Sequence, residues 1–453
     1  MGNEMRGRKL MIKEMFRYDV KLYKMIQIFI SLLILFCGLM ILVYCIPEER
    51  IRFNIAKSVE YMNEEKCYPY MGVKDVGFAL DNYTEASLLN FMYIADNERP
   101  IYSAFVQQEY FPEIWFNGLD CLNGAINEFP NEMSGNLTIR PAYWIGYSVI
   151  LRPLLYFTDY YNIRSINNIL AMVTLVGTCI LISKKLTNYI AMAFAVVMNC
   201  FNYYVLSLNI TLGIFCIYTL LGVLVYILKK EGEVHYGYTM LVVGMVTAFF
   251  EWFSIPYITY GMTVLFLLYL RRMNEKAHFA AYFNIAFQSG VSWCIGYGST
   301  VLAKSVIASV VLKSWDMTYF IGRLSSNRYG GASDVIEFVV SLKRLVRLAF
   351  PLHLFDDVYN IHRIYIAIVL LGVMIIALTF YKEEIAYHFV LVIIAVSPIL
   401  WYLMFKGHMG HSGIDYRTLM VSGFAFLLMA EKPLKEFGEK LKKIQVRDKK
   451  NKD

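Results

Sequence analysis

Apolar and polar positions form long blocks along this chain. An apolar run at 25–45 is followed by a polar stretch of about 95 residues, and long apolar runs then continue almost to the C-terminus. At least eight runs are long enough to cross about 30 Å of hydrocarbon as helices. The pattern predicts an all-α fold, a polytopic bundle of transmembrane helices with a large first extracytoplasmic loop.

Basic residues between the apolar runs set the direction of each crossing, because they favour the cytoplasmic side. One side is marked by Lys184-Lys185, Lys229-Lys230, Arg271-Arg272 and Lys382. The predicted spans are 25–45, 164–183, 188–206, 209–228, 236–253, 255–270, 284–312, 361–381, 386–405 and 415–430. The run 141–157 is short and contains Arg152, so we interpret it as a helix at the outer interface. The count is about ten spans, or eleven if this run crosses.

This topology divides the chain into seven segments. They are a basic N-terminus (1–24), a first span (25–45), an extracytoplasmic loop with interfacial helices (46–163), a transmembrane bundle (164–312), a second extracytoplasmic segment (313–360), C-terminal spans (361–430) and a basic tail (431–453). Apolar and basic positions in 335–350 repeat at helical spacing. Such a helix either lies on a membrane surface or docks a lipid-linked phosphate.

Composition and charge support a membrane protein. The chain is 58% hydrophobic and 17% charged, which excludes an ordinary soluble globule. The net charge of +7 comes from the two ends, where basic residues outnumber acidic ones, so it is not a nucleic-acid signal. Both termini are therefore expected in the cytoplasm, with the acidic loop outside. In that loop, Cys67 and Cys121 could form a disulfide.

Two carboxylates in the first loop are the leading candidates for chemistry. Asp81 and Glu85 are four residues apart and share one face if this stretch is helical. One interpretation is structural, in which Asp81 or Asn82 caps a helix and Glu85 lies in its first turn. The other is catalytic, because a glycosyl acceptor hydroxyl needs a carboxylate base beside it. The two roles are compatible.

The order of these motifs resembles the GT-C superfamily of integral membrane glycosyltransferases. The typical family run is an acidic pair early in the first loop, then a Pro-aromatic helix, then an Arg-containing turn. Here the acidic pair is spread over two residues four positions apart. The helix reads Arg140-Pro141-Ala-Tyr143-Trp144, and the turn reads Asn162-Ile-Arg164. The resemblance covers roughly residues 20–200, and the rest of the chain resembles membrane proteins of bacterial surface-polysaccharide systems.

The resemblance implies a function and a location. It implies transfer of a sugar from a polyprenyl-phosphate donor to an envelope glycan or lipid acceptor, at the outer face of a bacterial cytoplasmic membrane. Asp81 would activate the acceptor hydroxyl, and Glu85 would support it or bind a metal. The cofactor is unknown, although a divalent cation would fit such a pair. The expected partners are the lipid-linked sugar, the acceptor and membrane lipids, with no nucleic acid.

Further ionisable residues are candidates for substrate binding. Glu251 and Lys304 interrupt apolar runs, so each needs a partner or a water-filled cavity. We expect both inside the bundle, near each other or near a shared cavity, with Lys304 and Arg323 holding the donor phosphate. The remaining candidates are Arg140, His408, His411 and Arg417. The last three lie in or beside a Gly-rich loop where, with Asp415, a metal site is a weaker alternative to anion or sugar binding.

Two other function classes compete with the transferase. A polysaccharide polymerase or ligase shares the many spans and outer loops, and Arg323, Arg328 and Arg344 fit its late arginine-bearing loop loosely. A non-enzymatic transporter of lipid-linked glycans would show inverted repeats, which the sequence does not display. The sequence also contains no phosphate-binding or dinucleotide fingerprint, which favours a lipid-linked donor over a nucleotide sugar.

Overall fold

The computed structural model describes residues 20–71, 78–113, 117–129, 136–211, 213–230, 234–251, 255–274, 277–314, 384–404 and 416–450. About 80% of the structure is helical, and the one sheet in these residues is a single antiparallel pair. The predicted all-α class is therefore confirmed. The segments 315–383 and 405–415 lie outside the described residues, with the predicted helix at 335–350 and the span at 361–381.

The N-terminal third contains one long apolar helix and a small polar domain. Its elements are α1 (Leu22–Tyr44), α2 (Glu48–Glu65), α3 (Asn82–Ile94), α4 (Pro100–Phe105), β1 (Gln108–Phe111), α5 (Gly118–Glu128), β2 (Asn136–Ile139) and α6 (Ser148–Phe157). Strands β1 and β2 pair in register from Gln108 with Ile139 to Phe111 with Asn136. Helix α3 is almost entirely buried between α2, α5 and β1.

The remaining elements form a bundle of apolar helices. They are α7 (Tyr160–Lys185), α8 (Asn188–Cys200), α9 (Tyr203–Ser207), α10 (Ile214–Lys229), α11 (Tyr236–Phe250), α12 (Tyr257–Asn274), α13 (Phe279–Leu312), α14 (Ile385–Met404), a 3-10 turn (Tyr416–Leu419) and α15 (Met420–Lys450). Helices α11 and α13 approach closely through glycines. A Cβ on Gly244 would lie 2.3 Å from the Trp293 carbonyl oxygen, and one on Gly296 would lie 2.2 Å from that of Leu241.

Three described helices are long and apolar enough to cross a membrane: α1, α7 and α13. Five shorter apolar segments, in α6, α8, α10, α11 and α14, accompany them. A ten-residue helix such as α6 rises about 15 Å, half the thickness of the hydrocarbon layer. The structure thus supports a membrane protein but not the count of ten or eleven full spans.

Two predicted spans are interrupted, each at a residue with positive φ. The run 188–206 breaks into α8 and α9 at Asn202, whose φ is 57°. The run predicted from 209 becomes helical only at Ile214, after Gly213 with φ 92°. The left-handed conformation at these residues ends the regular helical hydrogen bonding. Hydropathy gave only a weak signal for these breaks, because the polar residues around them, among them Asn199, Asn209 and Thr211, are scattered between apolar ones.

Candidate active site

Asp81 caps the N-terminus of α3. Its Oδ1 accepts from the Thr84 backbone N–H at 3.0 Å, and its Oδ2 accepts from the Thr84 hydroxyl at 2.6 Å. Its own backbone N–H donates to Oδ1 of Asn209 at 3.0 Å. The predicted capping role is confirmed, and the residue is 5% exposed. The cap fixes the direction in which the carboxylate points.

Glu85 lies one turn further along α3 and is completely buried. Its Oε1 accepts three hydrogen bonds from the α9–α10 connection: from Ile210 N at 2.8 Å, Thr211 N at 2.7 Å and Thr211 Oγ1 at 2.6 Å. Its Oε2 is buried without a hydrogen-bond partner among the described residues. Burial raises the pKa of Glu85 to about 7, opposed by the charge of Arg164 and the bonds from Thr211, so the carboxyl exchanges its proton near neutral pH.

Arg164 joins the first turn of α7 to the start of α3. Its Nη1 donates to Oε2 of Glu65 at 2.8 Å, its Nη2 donates to Oδ1 of Asn82, and its guanidinium lies 5.2 Å from the centre of the Tyr160 ring. Asn82 in turn donates to Glu65 at 3.0 Å. The arginine of the predicted Asn-Ile-Arg turn is therefore brought to the acidic motif, 82 residues away in sequence from Asn82.

Glu251 lies on the bundle side of this cluster. It is the residue that follows α11, whereas the predicted span continued to 253, and it is 7% exposed. The Cys216 thiol donates to its Oε2 at 3.0 Å, and a Cβ on Gly213 would lie 3.5 Å from the same oxygen. Glu251 therefore contacts the start of α10, directly after the connection that binds Glu85.

Tyr147 is a buried tyrosine whose pKa is affected by both buried carboxylates. Burial raises the pKa of Tyr147 well above its usual value, and the charges of Glu251 and Glu85 raise it further. Its hydroxyl is buried without a hydrogen-bond partner among the described residues. Tyr147 was not predicted as a site residue. The only sequence signal for it is its place just after the Pro-aromatic motif.

Strained backbone surrounds the same cluster. Lys66 has φ 68°, and its carbonyl accepts from Asn82 at 2.8 Å. Ile145, two residues before Tyr147, has φ 50°, a conformation that a β-branched residue rarely adopts. Gly213, with φ 92°, lies beside Glu251, because a Cβ there would be 3.5 Å from its Oε2.

Arg140 and Lys304 have structural partners. Arg140 Nε donates to Oε2 of Glu109 at 3.1 Å, and burial raises the pKa of Glu109 while Arg140 lowers it. Lys304 is inside the bundle as predicted and fully buried, and its Nζ donates to the carbonyls of Phe105 at 2.7 Å and Pro141 at 3.1 Å. Its ammonium is thus held by backbone carbonyls, and among the described residues it makes no ion pair with Glu251. The predicted direct pairing of the two is therefore not seen among the described residues, and the predicted shared cavity stays a prediction.

Of the other predicted site residues, only Arg417 lies in the part of the chain that the structure describes. Arg417 is 1% exposed, donates to the Phe201 carbonyl at 3.3 Å and packs on the Tyr416 ring at 5.0 Å. Arg323, His408 and His411 lie outside the described residues, as does Asp415. Cys67 and Cys121 are both free thiols here. Within the described ranges no cluster of three His, Cys, Asp or Glu side chains could hold a metal ion.

Arg152 is a buried cation for which the sequence analysis predicted a location, in a helix at the outer interface, but no role. Its guanidinium donates to the carbonyls of Val43 at 3.0 Å, Met92 at 3.2 Å and Ile46 at 3.4 Å, and it lies 4.4 Å from the centre of the Tyr44 ring. It thus satisfies carbonyls at the C-terminal ends of both α1 and α3. These hydrogen bonds join the polar domain to the C-terminal end of α1. They therefore help to fix the position of the candidate site relative to that helix.

Comparison with known proteins gives no family for this chain. No family model, no curated protein and no solved structure matches it. Its function must therefore be argued from the site itself.

Proposed function

We propose that this chain is an integral membrane glycosyltransferase of the GT-C type. It would transfer a sugar from a polyprenyl-phosphate donor to a glycan or lipid acceptor at the outer face of a bacterial cytoplasmic membrane. The apolar helices would form a polytopic bundle of ten or eleven crossings with both termini in the cytoplasm.

One observation carries the proposal: segments that the family pattern relates in sequence meet in space. The start of α3 supplies Asp81 and Glu85, the turn into α7 supplies Arg164, and the end of the Pro-aromatic segment supplies Tyr147. Nothing in the fold alone requires an acidic cap, a buried carboxyl and a buried arginine at one place. Such a concentration of ionisable groups is typical of a reaction site.

In the proposed reaction, Asp81 is the general base. It accepts the proton of the acceptor hydroxyl while that oxygen bonds to the anomeric carbon of the donor sugar. The bond between that carbon and the phosphate oxygen breaks, and polyprenyl phosphate leaves with the electron pair. Arg164, held by Glu65 and Asn82, supplies fixed positive charge near the cluster. Positive charge of this kind stabilises the charge that develops on a leaving phosphate.

The test is the loss of transfer in Asp81→Asn. Asn preserves size and capping, so the protein should fold, while proton acceptance is lost, which typically costs about 100-fold or more in rate. Asp120→Asn is the matched control, because Asp120 also lies in the first turn of a helix and accepts from its N-cap residue, Asn117. The readout is glycan product in cells with equal amounts of each variant. Normal product with Asp81→Asn would leave Asp81 as a cap and remove the enzyme hypothesis.

A second candidate is a proton-coupled transporter of lipid-linked glycans. The two buried carboxyls favour it, Glu251 at the end of α11 and Glu85 against the α9–α10 connection at the edge of the bundle, because buried ionisable groups in membrane proteins are typical of proton pathways. This function predicts that Glu85→Gln and Glu251→Gln stop export while Asp81→Asn has little effect. The transferase hypothesis predicts instead that Asp81→Asn has the largest effect of the three variants. A polymerase or ligase gains no support, because Arg323, Arg328 and Arg344 are outside the described residues.

A further inference from the structure

A cavity of about 360 Å³, lined by charged, aromatic and aliphatic side chains, lies at the opposite end of the bundle from Asp81, where α12 ends and α14 begins beside α15. Its lining includes three cationic side chains, of Arg272, Lys432 and Lys435, and two carboxylates, of Glu384 and Glu431. The volume falls within the range of roughly 300–1,000 Å³ that is usual for small-molecule sites. The charges of these five groups leave an excess of one positive charge.

The charged groups that line the cavity are held in fixed positions by ion pairs and hydrogen bonds. Arg272 pairs with Glu384 and with Glu431, each at 2.8 Å, and so links α12, the start of α14 and α15. Tyr269 donates to Glu431 at 2.8 Å. The guanidinium of Arg272 lies 5.1 Å from the centre of the Tyr387 ring. The arginine balances one of the two carboxylate charges, and Lys432, whose Nζ lies 3.4 Å from Oε1 of Glu384, balances the other. The charge of Lys435 is therefore the excess.

Tyr387 gives a second and independent indication of a ligand. It lines the cavity, it is 1% exposed, and its hydroxyl is buried without a hydrogen-bond partner among the described residues. A buried hydroxyl is nearly always hydrogen-bonded, by protein or by a bound molecule. An acceptor oxygen placed in the cavity would satisfy this donor.

The surroundings indicate a lipid source for that acceptor. Beyond Pro433, α15 exposes Leu434, Phe437 and Leu441 by 52%, 60% and 43% on one face. Lys435 and Lys440 lie to either side of this apolar face at helical spacing. A helix with an exposed apolar face bordered by lysines is typical of a bilayer surface that carries acidic lipids. The cavity therefore opens where phospholipid headgroups would lie.

We propose that this cavity binds the headgroup phosphate of an acidic phospholipid. The phosphodiester carries one negative charge, which matches the excess charge of the lining, and its oxygens accept hydrogen bonds from Tyr387 and from the two lysines. The inference rests on the bundle lying in a bilayer and is independent of the transferase reaction. Loss of transfer in Asp81→Asn therefore has no bearing on it.

Native mass spectrometry of the full chain in a mild detergent tests the proposal, with added phosphatidylglycerol or phosphatidylcholine. The wild type should retain phosphatidylglycerol selectively. Tyr387→Phe should weaken that retention about tenfold, the effect of losing one hydrogen bond to a charged group. The double change Lys432→Gln with Lys435→Gln should abolish the selectivity. Lys440→Gln with Lys443→Gln removes the same charge further along α15 and should preserve it.

Four outcomes would overturn the proposal. Equal retention of the two lipids would exclude recognition of an acidic headgroup. Equal losses in the two lysine pairs would mean diffuse attraction to the helix and not a site. Wild-type retention in Tyr387→Phe would place the phosphate outside the cavity. Full competition by glycerol phosphate would show a site for soluble anions. Tyr387→Phe is conservative enough to keep the test informative if the lysine variants fold poorly.

Discussion

Glu85 provides a direct test of the buried site, because its proton equilibrium depends on the fold. Its pKa rises from an ordinary value of 4.5 to about 7 through burial. Between these values the folded protein holds a proton that the unfolded chain has released, so stability falls as the pH rises. Each pKa unit corresponds to about 1.4 kcal/mol, so the wild type should lose about 2 kcal/mol from this group between pH 5.5 and pH 8.

Glu85→Gln removes this dependence without changing the shape of the side chain. The amide oxygen can accept the three hydrogen bonds from Ile210 and Thr211, and the amide nitrogen takes the place of Oε2. That nitrogen lacks a partner among the described residues, which costs about 1–3 kcal/mol at every pH. The absolute stability of the variant is therefore not diagnostic, but its change between the two pH values is.

The assay is denaturant unfolding of purified protein in a mild detergent, at pH 5.5 and pH 8, for wild type and variant. For each protein we take the change in the free energy of unfolding between the two pH values. The difference between wild type and variant in this change isolates Glu85, because the contributions of the other titrating groups cancel. Glu64→Gln, which changes an exposed glutamate near the end of α2, should behave as the wild type. An identical pH dependence in wild type and Glu85→Gln would refute the reasoning, since it would mean that Glu85 has the same pKa in both states.

Two further predictions concern the segments that surround the site. Gly213→Ala should lower the free energy of unfolding by about 2 kcal/mol or more, because φ is 92° and the new Cβ would lie 2.3 Å from the Ile255 side chain. Gly222→Ala, within α10, meets nothing within 4 Å and should be neutral or slightly stabilising. Arg164→Lys keeps the charge but loses the planar fork, so unfolding should be easier by about 1–3 kcal/mol. Denaturant titration measures both, and an Arg164→Lys variant as stable as the wild type would show that the fork contributes nothing.

The local features of the site could be read from sequence because they depend on neighbouring residues. The cap at Asp81 needs only Thr84 three residues later, and the placement of Glu85 on the same face follows from helical spacing. The burial of Lys304 followed from the cost of exposing a charge to lipid. Its partners, the carbonyls of Phe105 and Pro141, could not be predicted, since any backbone carbonyl would serve.

The contacts between segments that are distant in sequence could not be predicted, because the hydrophobic pattern carries no information about them. Asn209 and Thr211 lie at the start of an apolar run, and nothing local indicates that they bind α3 about 125 residues earlier. The weak signal available was two polar residues followed by Gly213 at a predicted span boundary. The same connection carries the break between α9 and α10. A partner chosen by tertiary packing leaves no periodic trace in the sequence.

Strain and unsatisfied polarity occur at the same place, and this coincidence supports a functional site more strongly than either would alone. Lys66 and Ile145 have positive φ values that cost about 1–3 kcal/mol each, and Glu85 and Tyr147 bury polar atoms without partners among the described residues. A chain selected only for stability would replace such residues, for example with glycine at Ile145 or an apolar side chain at Glu85. Local departures from the rules of stable folding tend to collect where a protein acts. Here two of them adjoin Asp81: Lys66, whose carbonyl accepts from the next residue, Asn82, and Glu85, one helical turn further along α3. This is where the proposed reaction needs an oriented base.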